Sequence, residues 1–231
     1  MHLKSHETPR KRGRNDKSRK SPVAIRQAKA CRERLKLPNS KTNAYRLINA
    51  EGDGLSGLIV DVYGDRAVMQ LNSRVMAENS EEIAKIVMKE VGVRSVKAMV
   101  SSHGLKFEGI PPQNVTYGEE SGADDVQIKE NGVTFQVNLK TPQKTGFYLD
   151  QRENRRYLAS LSSGKTVLDL YCHAGGFGLH ALSSGASSAT FVDSSEPALD
   201  LVARNLELND VEGERYAVDA VTFLKNAKEE G

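Results

Sequence analysis

The sequence predicts an α/β chain in two parts: a small α+β domain, then a Rossmann-like domain represented by its first three strands. Three observations predict it. Val167-Leu-Asp-Leu170 is a short apolar run containing an acid, and it opens through Tyr171-Cys-His-Ala-Gly-Gly-Phe-Gly178 into the helical start Leu179-His-Ala-Leu182. From there strand-like and helix-like runs alternate, and regular βαβ alternation implies parallel strands with right-handed crossovers. Upstream, Gly52, Gly54, Gly57 and Gly64 and the pair Asn131-Gly132 punctuate short strands with tight turns.

Residues 1–20 are charged, contain Ser and lack periodicity, so they are expected to form a basic disordered tail. A basic helix is expected over 21–40. Ser21 can cap it, Pro22 suits its first turn, and Ala24, Ala28, Cys31 and Leu35 recur at helical spacing. Arg26, Lys29, Arg32, Arg34 and Lys36 form its polar face, either a nucleic-acid contact or simply a solvated surface.

Residues 41–140 read as the small central domain. Leu58–Val62 and Ala67–Leu71 flank a hairpin loop at Tyr63–Arg66. Ser80 is expected to cap an amphipathic helix whose Ile83, Ile86, Val87 and Val91 share a face, and Val96–Val100 reads as a strand. Residues 101–125, rich in Gly, Pro and acids, read as loop. Val126–Leu139 alternates on both sides of Asn131-Gly132, the type I′ signature, and this hairpin is expected to close the small domain.

Residues 141–231 read as the partial Rossmann-like domain. A helix is expected from Asp150 to Leu161, then strands over 166–170, 188–193 and 214–218 and helices over 177–184, 196–208 and 220–228.

Composition narrows the function classes. The chain has 231 residues, 38% hydrophobic and 27% charged, and no apolar run approaches the ~20 residues of a membrane span. Cys31 and Cys172 are too few and too far apart for a disulfide framework, which favours a reducing compartment: the cytoplasm, or an organelle stroma or matrix. The five His are scattered and suggest no metal site. Residues 1–40 hold 13 Lys/Arg against Glu7, Asp16 and Glu33, a net +10, so with a total of +3 the remainder carries −7. A basic arm on an acidic body suits a polyanion partner, because Lys and Arg displace counterions from phosphates; a solubilising tail is the alternative.

The chemistry concentrates where strands end. Gly175, Gly176 and Gly178 allow a sharp turn, but the spacing is not GxGxxG, which disfavours a dinucleotide and leaves S-adenosylmethionine (SAM), a ligand with no phosphate to seat. Asp169 is placed to meet the ammonium of the methionine part, directly or through water. Asp193, ending Ala189-Thr-Phe-Val-Asp193, is placed for the ribose diol, and Asp219 for the adenine amino group. Each of the three also reads as a turn residue or helix cap. Cys172 and His173 read as packing and turn residues of the same loop rather than as a nucleophile or base. Lys144-Thr-Gly-Phe-Tyr-Leu-Asp-Gln-Arg152 reads as a linker or a lid over a planar ligand.

Four segments carry a resemblance: Glu51-Gly-Asp-Gly-Leu-Ser-Gly-Leu-Ile-Val-Asp61, Lys144–Arg152, Asp169–Gly178 and Asp193-Ser-Ser-Glu-Pro-Ala-Leu199. In this order they resemble the ribosomal RNA large-subunit methyltransferase I family, class I SAM-dependent enzymes that make 5-methylcytosine, over roughly residues 22–228. The resemblance implies SAM contacts at Lys144, Thr145, Gly146, Tyr148, Asp169, Gly175, Asp193 and Asp219, and ribosomal RNA as partner. Self-association into a homodimer stays open. It also implies a Cys that adds to carbon-6 of cytosine and makes carbon-5 nucleophilic. In the family that Cys follows an Asp-Pro-Pro-type motif downstream, which this sequence does not contain; nor does it contain the family's N-terminal PUA domain. The expectation is therefore a truncated chain that binds SAM weakly or not at all, does not methylate RNA, and leaves an edge of Val167–Leu170 uncovered. A non-catalytic RNA-binding fragment, a methyltransferase for another substrate and a Rossmann-type oxidoreductase are the alternatives.

Overall fold

The computed structural model describes residues 21–119, 125–139 and 147–229. The expected basic tail and Lys144, Thr145 and Gly146 lie outside the described residues.

The first helix, α1, spans Ser21–Arg34 with Pro22 in its first turn, and it ends short of the expected residue 40. The strands β1 (Ala44–Asn49), β2 (Leu58–Tyr63) and β3 (Arg66–Leu71) form an antiparallel meander. After α2 (Arg74–Glu78) and α3 (Ser80–Val91), β4 (Ser95–Val100) pairs parallel to β3, so the two helices form a crossover. A short α4 (Ser102–Phe107) leads to β5 (Asn114–Gly118), which pairs antiparallel to β4 and completes a five-stranded sheet in order β1-β2-β3-β4-β5. Ile25 of α1 and Ile83 and Val87 of α3 bury against Leu47, Val60 and Met69 on one sheet face.

Three readings of this half need correction. Residues 101–125 are not all loop, since α4 and β5 lie there. The strand was invisible because it is an edge strand with mostly exposed side chains and so lacks apolar alternation. Ser80 does not cap α3. Asn79 occupies the N-cap, and the Ser80 hydroxyl lies 2.9 Å from the Tyr117 hydroxyl and accepts from Gln113 Nε2 at 3.0 Å. Arg32 leaves the solvated face of α1 and forms a bidentate pair with Asp53, at 2.6 and 2.7 Å, pinning the helix to the Gly-rich turn after β1. Asp53 and Asp61, both within the Glu51–Asp61 motif, are thus structural: fully buried Asp61 receives a second bidentate pair from Arg46 on the neighbouring strand, at 2.9 and 3.0 Å.

The hairpin of β6 (Asp125–Glu130) and β7 (Val133–Asn138) turns at Asn131 and Gly132, with φ of 50° and 92°, the two positive values a type I′ turn requires. It does not join the five-stranded sheet. On one side it bonds to the segment before β1, with Asn43 and Lys129 exchanging bonds at 3.0 and 2.7 Å. On the other, Ile128, Phe135 and Val137 bury in a second core with Leu179, Phe191 and Val202. Ala44, Tyr63 and Val68, from the other face of the first sheet, join that core too. The hairpin therefore bridges the two halves, a position its local sequence does not encode.

The second half follows the predicted alternation: α5 (Arg152–Leu161), β8 (Thr166–Leu170), α6 (Gly176–Ser183), β9 (Ser188–Asp193), α7 (Glu196–Leu208), β10 (Glu214–Ala217) and α8 (Ala220–Glu229). The strands are parallel in order β10-β9-β8. Among the described residues β8 is paired on one side only, and Leu168 is 44% exposed. No helix of the described residues is long and apolar enough to cross a membrane.

Candidate functional site

Parallel strands deliver their C-terminal ends to one edge of the sheet, and the crevice outside those ends is where open α/β folds bind ligands. At this edge β8 runs into a strained turn. Tyr171 and His173 have φ of 55° and 49°, left-handed values that non-glycine residues seldom adopt, and Gly175 follows at 76° as the N-cap of α6. Asp169, within β8, reaches forward so that its Oδ2 accepts the Gly178 amide at 2.9 Å. Gly178 has no room for a side chain, because a Cβ there would collide with the buried Phe191 ring. The glycines therefore serve close packing of α6 on β9 as well as the turn.

Asp193 ends β9 beside this turn. Its Oδ2 accepts the His173 amide at 2.9 Å and its Oδ1 accepts the Ser195 amide at 3.0 Å. Each carboxylate oxygen keeps a second lone pair for an outside donor. Ser195 caps α7, with Pro197 in the first turn, a signal present in Asp193-Ser-Ser-Glu-Pro-Ala-Leu199.

Tyr148, His173 and Asp193 line one cleft of about 830 Å³, closed on the hairpin side by Asp125 and Asn138 and on the α7 side by Arg204. Tyr148 and His173 meet edge to face, with ring centroids 5.5 Å apart. Asn138 Nδ2 donates to Asp125 Oδ1 at 2.6 Å, so the hairpin rim is internally braced. This rim was not legible as part of a site, because nothing local to the hairpin says where it docks.

Asp169 and Asp219 do not line that cleft. Asp169 is 7% exposed beneath the turn, and burial pushes its carboxyl up to about 6, against the lowering effects of the Gly178 amide and the Arg155 charge. Asp219 is exposed and caps α8, its Oδ1 accepting the Val221 and Thr222 amides at 3.0 and 3.1 Å. It stands one residue past Val218, whose amide donates to the Asp193 carbonyl at 3.1 Å, so β10 brings it to the same sheet edge. Cys172 is buried, and burial raises its thiol pKa further above neutrality. Burial likewise lowers the pKa of His173, favouring the neutral imidazole. Among the described residues no group of acids, His and Cys has the arrangement to hold a metal ion.

A cleft of this size suits a nucleoside-sized ligand. One carboxylate bridges two turns with acceptor capacity to spare, and the positive-φ turn beside it exposes backbone. The cleft thus joins one carboxylate, Asp193, to the aromatic pair of Tyr148 and His173, with the buried acid Asp169 under the neighbouring turn.

The chain is 38% identical over 189 residues to the ribosomal RNA large subunit methyltransferase I of Alteromonas mediterranea, covering 81% of this chain and 47% of that protein. It is also 38% identical over 220 residues to the same-named protein of Photobacterium profundum, covering 92% and 52%. The Deinococcus radiodurans ribosomal RNA large subunit methyltransferase is 37% identical over 171 residues, covering 73% and 42%. The chain thus spans about half the length of the curated relatives it matches. In fold it is similar to SMU.776, crystallised with S-adenosylhomocysteine (SAH): TM-score 0.80, 23% identity, 92% of this chain and 55% of that one. The tRNA m1G37 methyltransferase of M. jannaschii is a more distant neighbour, with TM-score 0.55, 21% identity and coverage of 72% and 50%. The family model of S-adenosylmethionine-dependent methyltransferases matches residues 105–227, more than half the chain, and the chain belongs to that family.

Proposed function

We propose that this chain binds SAM in the cleft between the Tyr171–Gly175 turn and Asp193, as the cofactor-holding part of an enzyme that methylates carbon-5 of a cytosine in large-subunit ribosomal RNA. The observation that carries the reading is Asp193: a strand-end carboxylate fixed by two backbone amides and facing a cleft of about 830 Å³. In this reading Asp193 accepts from the ribose hydroxyls and Tyr148 covers the ligand. Gly175 lets the backbone approach, and Asp169 balances the ammonium from behind the turn. Asp219 at the neighbouring strand end meets the adenine amino group. Lys144, Thr145 and Gly146, outside the described residues, belong to the same proposal through the motif that continues into Tyr148.

When bound, SAM supplies a methyl group activated by its sulfonium. The cytosine chemistry additionally needs a thiolate to add at carbon-6. Neither cysteine suits it. Cys172 is buried with a raised thiol pKa, and Cys31 is exposed on α1 and is not among the cleft-lining residues. The chain by itself is therefore proposed to bind SAM only weakly, with β8 paired on one side among the described residues, and not to transfer its methyl. The named relatives support ribosomal RNA as the partner, and the basic face of α1 suits a polyanion.

Two measurements test the reading. Calorimetric titration should give heat with SAM and SAH and none with NAD; binding of NAD alone would sink the cofactor assignment. Incubation with large-subunit ribosomal RNA and methyl-labelled SAM should leave the RNA unlabelled, and label at carbon-5 of cytosine would overturn the role denied to the two cysteines. Sizing by light scattering decides whether the chain forms a homodimer, and fractionation of the source cells decides between the cytoplasm and an organelle stroma or matrix.

A further inference from the structure

A buried ion pair reaches the cleft through the backbone of Tyr148 and is used by none of the steps above. Arg155 Nη1 donates to Glu130 Oε1 at 2.8 Å, with the two side chains 4% and 0% exposed. His180 Nε2 lies 3.1 Å from the same Glu130 oxygen. The second guanidinium nitrogen, Nη2, donates to the Tyr148 carbonyl at 2.8 Å. The guanidinium carbon stands 4.4 Å from the Phe147 ring centroid and 5.7 Å from that of Phe177. A Cβ on Gly176 would sit 2.5 Å from Arg155 Nε. One cation therefore touches the hairpin, the segment entering α5 and the first turn of α6.

This arrangement is expensive as a source of stability. A buried ion pair recovers little beyond its desolvation, and apolar residues of similar volume often do as well. The cation also sits at the N-terminus of α6, the end of a helix that disfavours positive charge. Among the described residues, buried Arg155 Nε and Glu130 Oε2 find no hydrogen-bond partner. What the pair supplies instead is geometry, since a planar guanidinium fixes two acceptors at a set angle where an ammonium cannot.

We propose that Arg155 is a positioning residue for the cofactor cleft: it fixes Tyr148 at the mouth and the first turn of α6 beneath it, while Glu130 and His180 hold its guanidinium in place. The inference rests on the SAM reading of that cleft. Tyr148 is placed through its backbone carbonyl, which leaves its ring against His173.

The test is titration of the full chain and its variants with SAH, alongside thermal midpoints and hydrogen exchange. Arg155→Lys and Glu130→Gln should both lower the midpoint, since each breaks a buried ion pair, and the protein that remains folded should bind SAH at least about tenfold more weakly, because lysine loses the two-point fork and glutamine loses the charge that holds the fork in place. Exchange of the amides of residues 147–151 should quicken in both. A role in stability alone would lower the midpoint and leave the affinity of the folded protein unchanged, and that result overturns the proposal. Should Arg155→Lys fail to fold, Glu130→Gln is read the same way. In the wild-type chain SAH should protect residues 147–151 and 176–178 together; protection confined to 176–178 overturns the positioning role. A wild-type chain that binds neither SAM nor SAH overturns the cofactor reading and this role with it, whereas equal binding by a folded Arg155→Lys overturns the positioning role alone.

Discussion

The Asp169 carboxylate accepts the Gly178 amide at 2.9 Å, and this bond clasps β8 to the first turn of α6 across the strained Tyr171–Gly175 turn. The same carboxylate is held at a raised pKa by burial, so one residue both builds the turn and stores a titratable charge beneath it.

That charge predicts a pH dependence. Asp169 has an ordinary pKa of 3.8 and a folded-state pKa of about 6, so across that window the folded chain keeps a proton that the unfolded chain has released. Stability of the unliganded chain should therefore fall as pH rises from about 4 to about 6, by on the order of 2–3 kcal/mol, and level off above. Ligand binding should run the other way. A cationic ammonium favours the ionised acid, so SAM affinity should rise with pH by up to about tenfold per unit below pH 6 and flatten above. Arg155 and Asp193 pull the acid in opposite directions, and the neutral form of His173 is favoured by burial. Titrations of wild type and Asp169→Asn check this: the variant should bind weakly and without the pH slope, and an unchanged slope would remove Asp169 from the site.

Gly178 should be intolerant for a reason unrelated to backbone freedom. A Cβ there would run into the Phe191 ring, which is fully buried between β9 and its neighbours. Gly178→Ala should cost about 1–3 kcal/mol, the usual range for overpacking. Phe191→Leu in the same background should recover part of the loss. Chemical denaturation of the two single variants and the double variant measures it, and strict additivity would show that the two positions do not touch.

Asp193→Asn keeps the size of the side chain and removes its charge. One amide nitrogen must then face either the His173 amide, the Ser195 amide or a ligand hydroxyl, where an acceptor stood before. SAH affinity should fall by about 10- to 100-fold, as for loss of charge-assisted hydrogen bonds. Titration at fixed pH tests it; wild-type affinity would place the ribose elsewhere.

The parts of the molecule that follow local rules were readable from residues alone. Val167–Leu170 and Ala189–Asp193 carry apolar runs ending near acids, Asn131-Gly132 carries its own turn type, and Pro22 and Pro197 stand in first helical turns. What escaped was set by tertiary placement. Asn114–Gly118 lies at a sheet edge with little burial, so it has no period to detect. Arg32 looked solvated until Asp53, 21 residues away, folded onto it. Glu130 meets Arg155 across 25 residues and His180 across 50, and each alone reads as a surface charge on a strand or helix. The pairing exists only because the hairpin docks on α6, which no pattern within the hairpin announces.

Asn205 predicts how that docking can be undone. It is fully buried on α7, where its Oδ1 accepts the Gln136 amide of β7 at 2.7 Å and its Nδ2 donates to the Ala174 carbonyl at 3.0 Å. One turn on, Asn209 accepts the Thr134 amide at 2.9 Å and returns a bond to the Thr134 carbonyl at 2.7 Å. The two side chains thus serve the free edge of β7 as a neighbouring strand would. Asn205→Leu keeps the branched shape and leaves no cavity but strands one amide and one carbonyl, and should cost about 2–4 kcal/mol. Because Ala174 belongs to the turn beside Asp193, the same change should also weaken SAH binding, more than a substitution on the solvated face of α7 does. Leucine separates lost bonds from lost volume: a variant as stable as wild type would mean that packing alone seats the hairpin, and that the amide ladder from β7 through Asn205 to the turn transmits nothing.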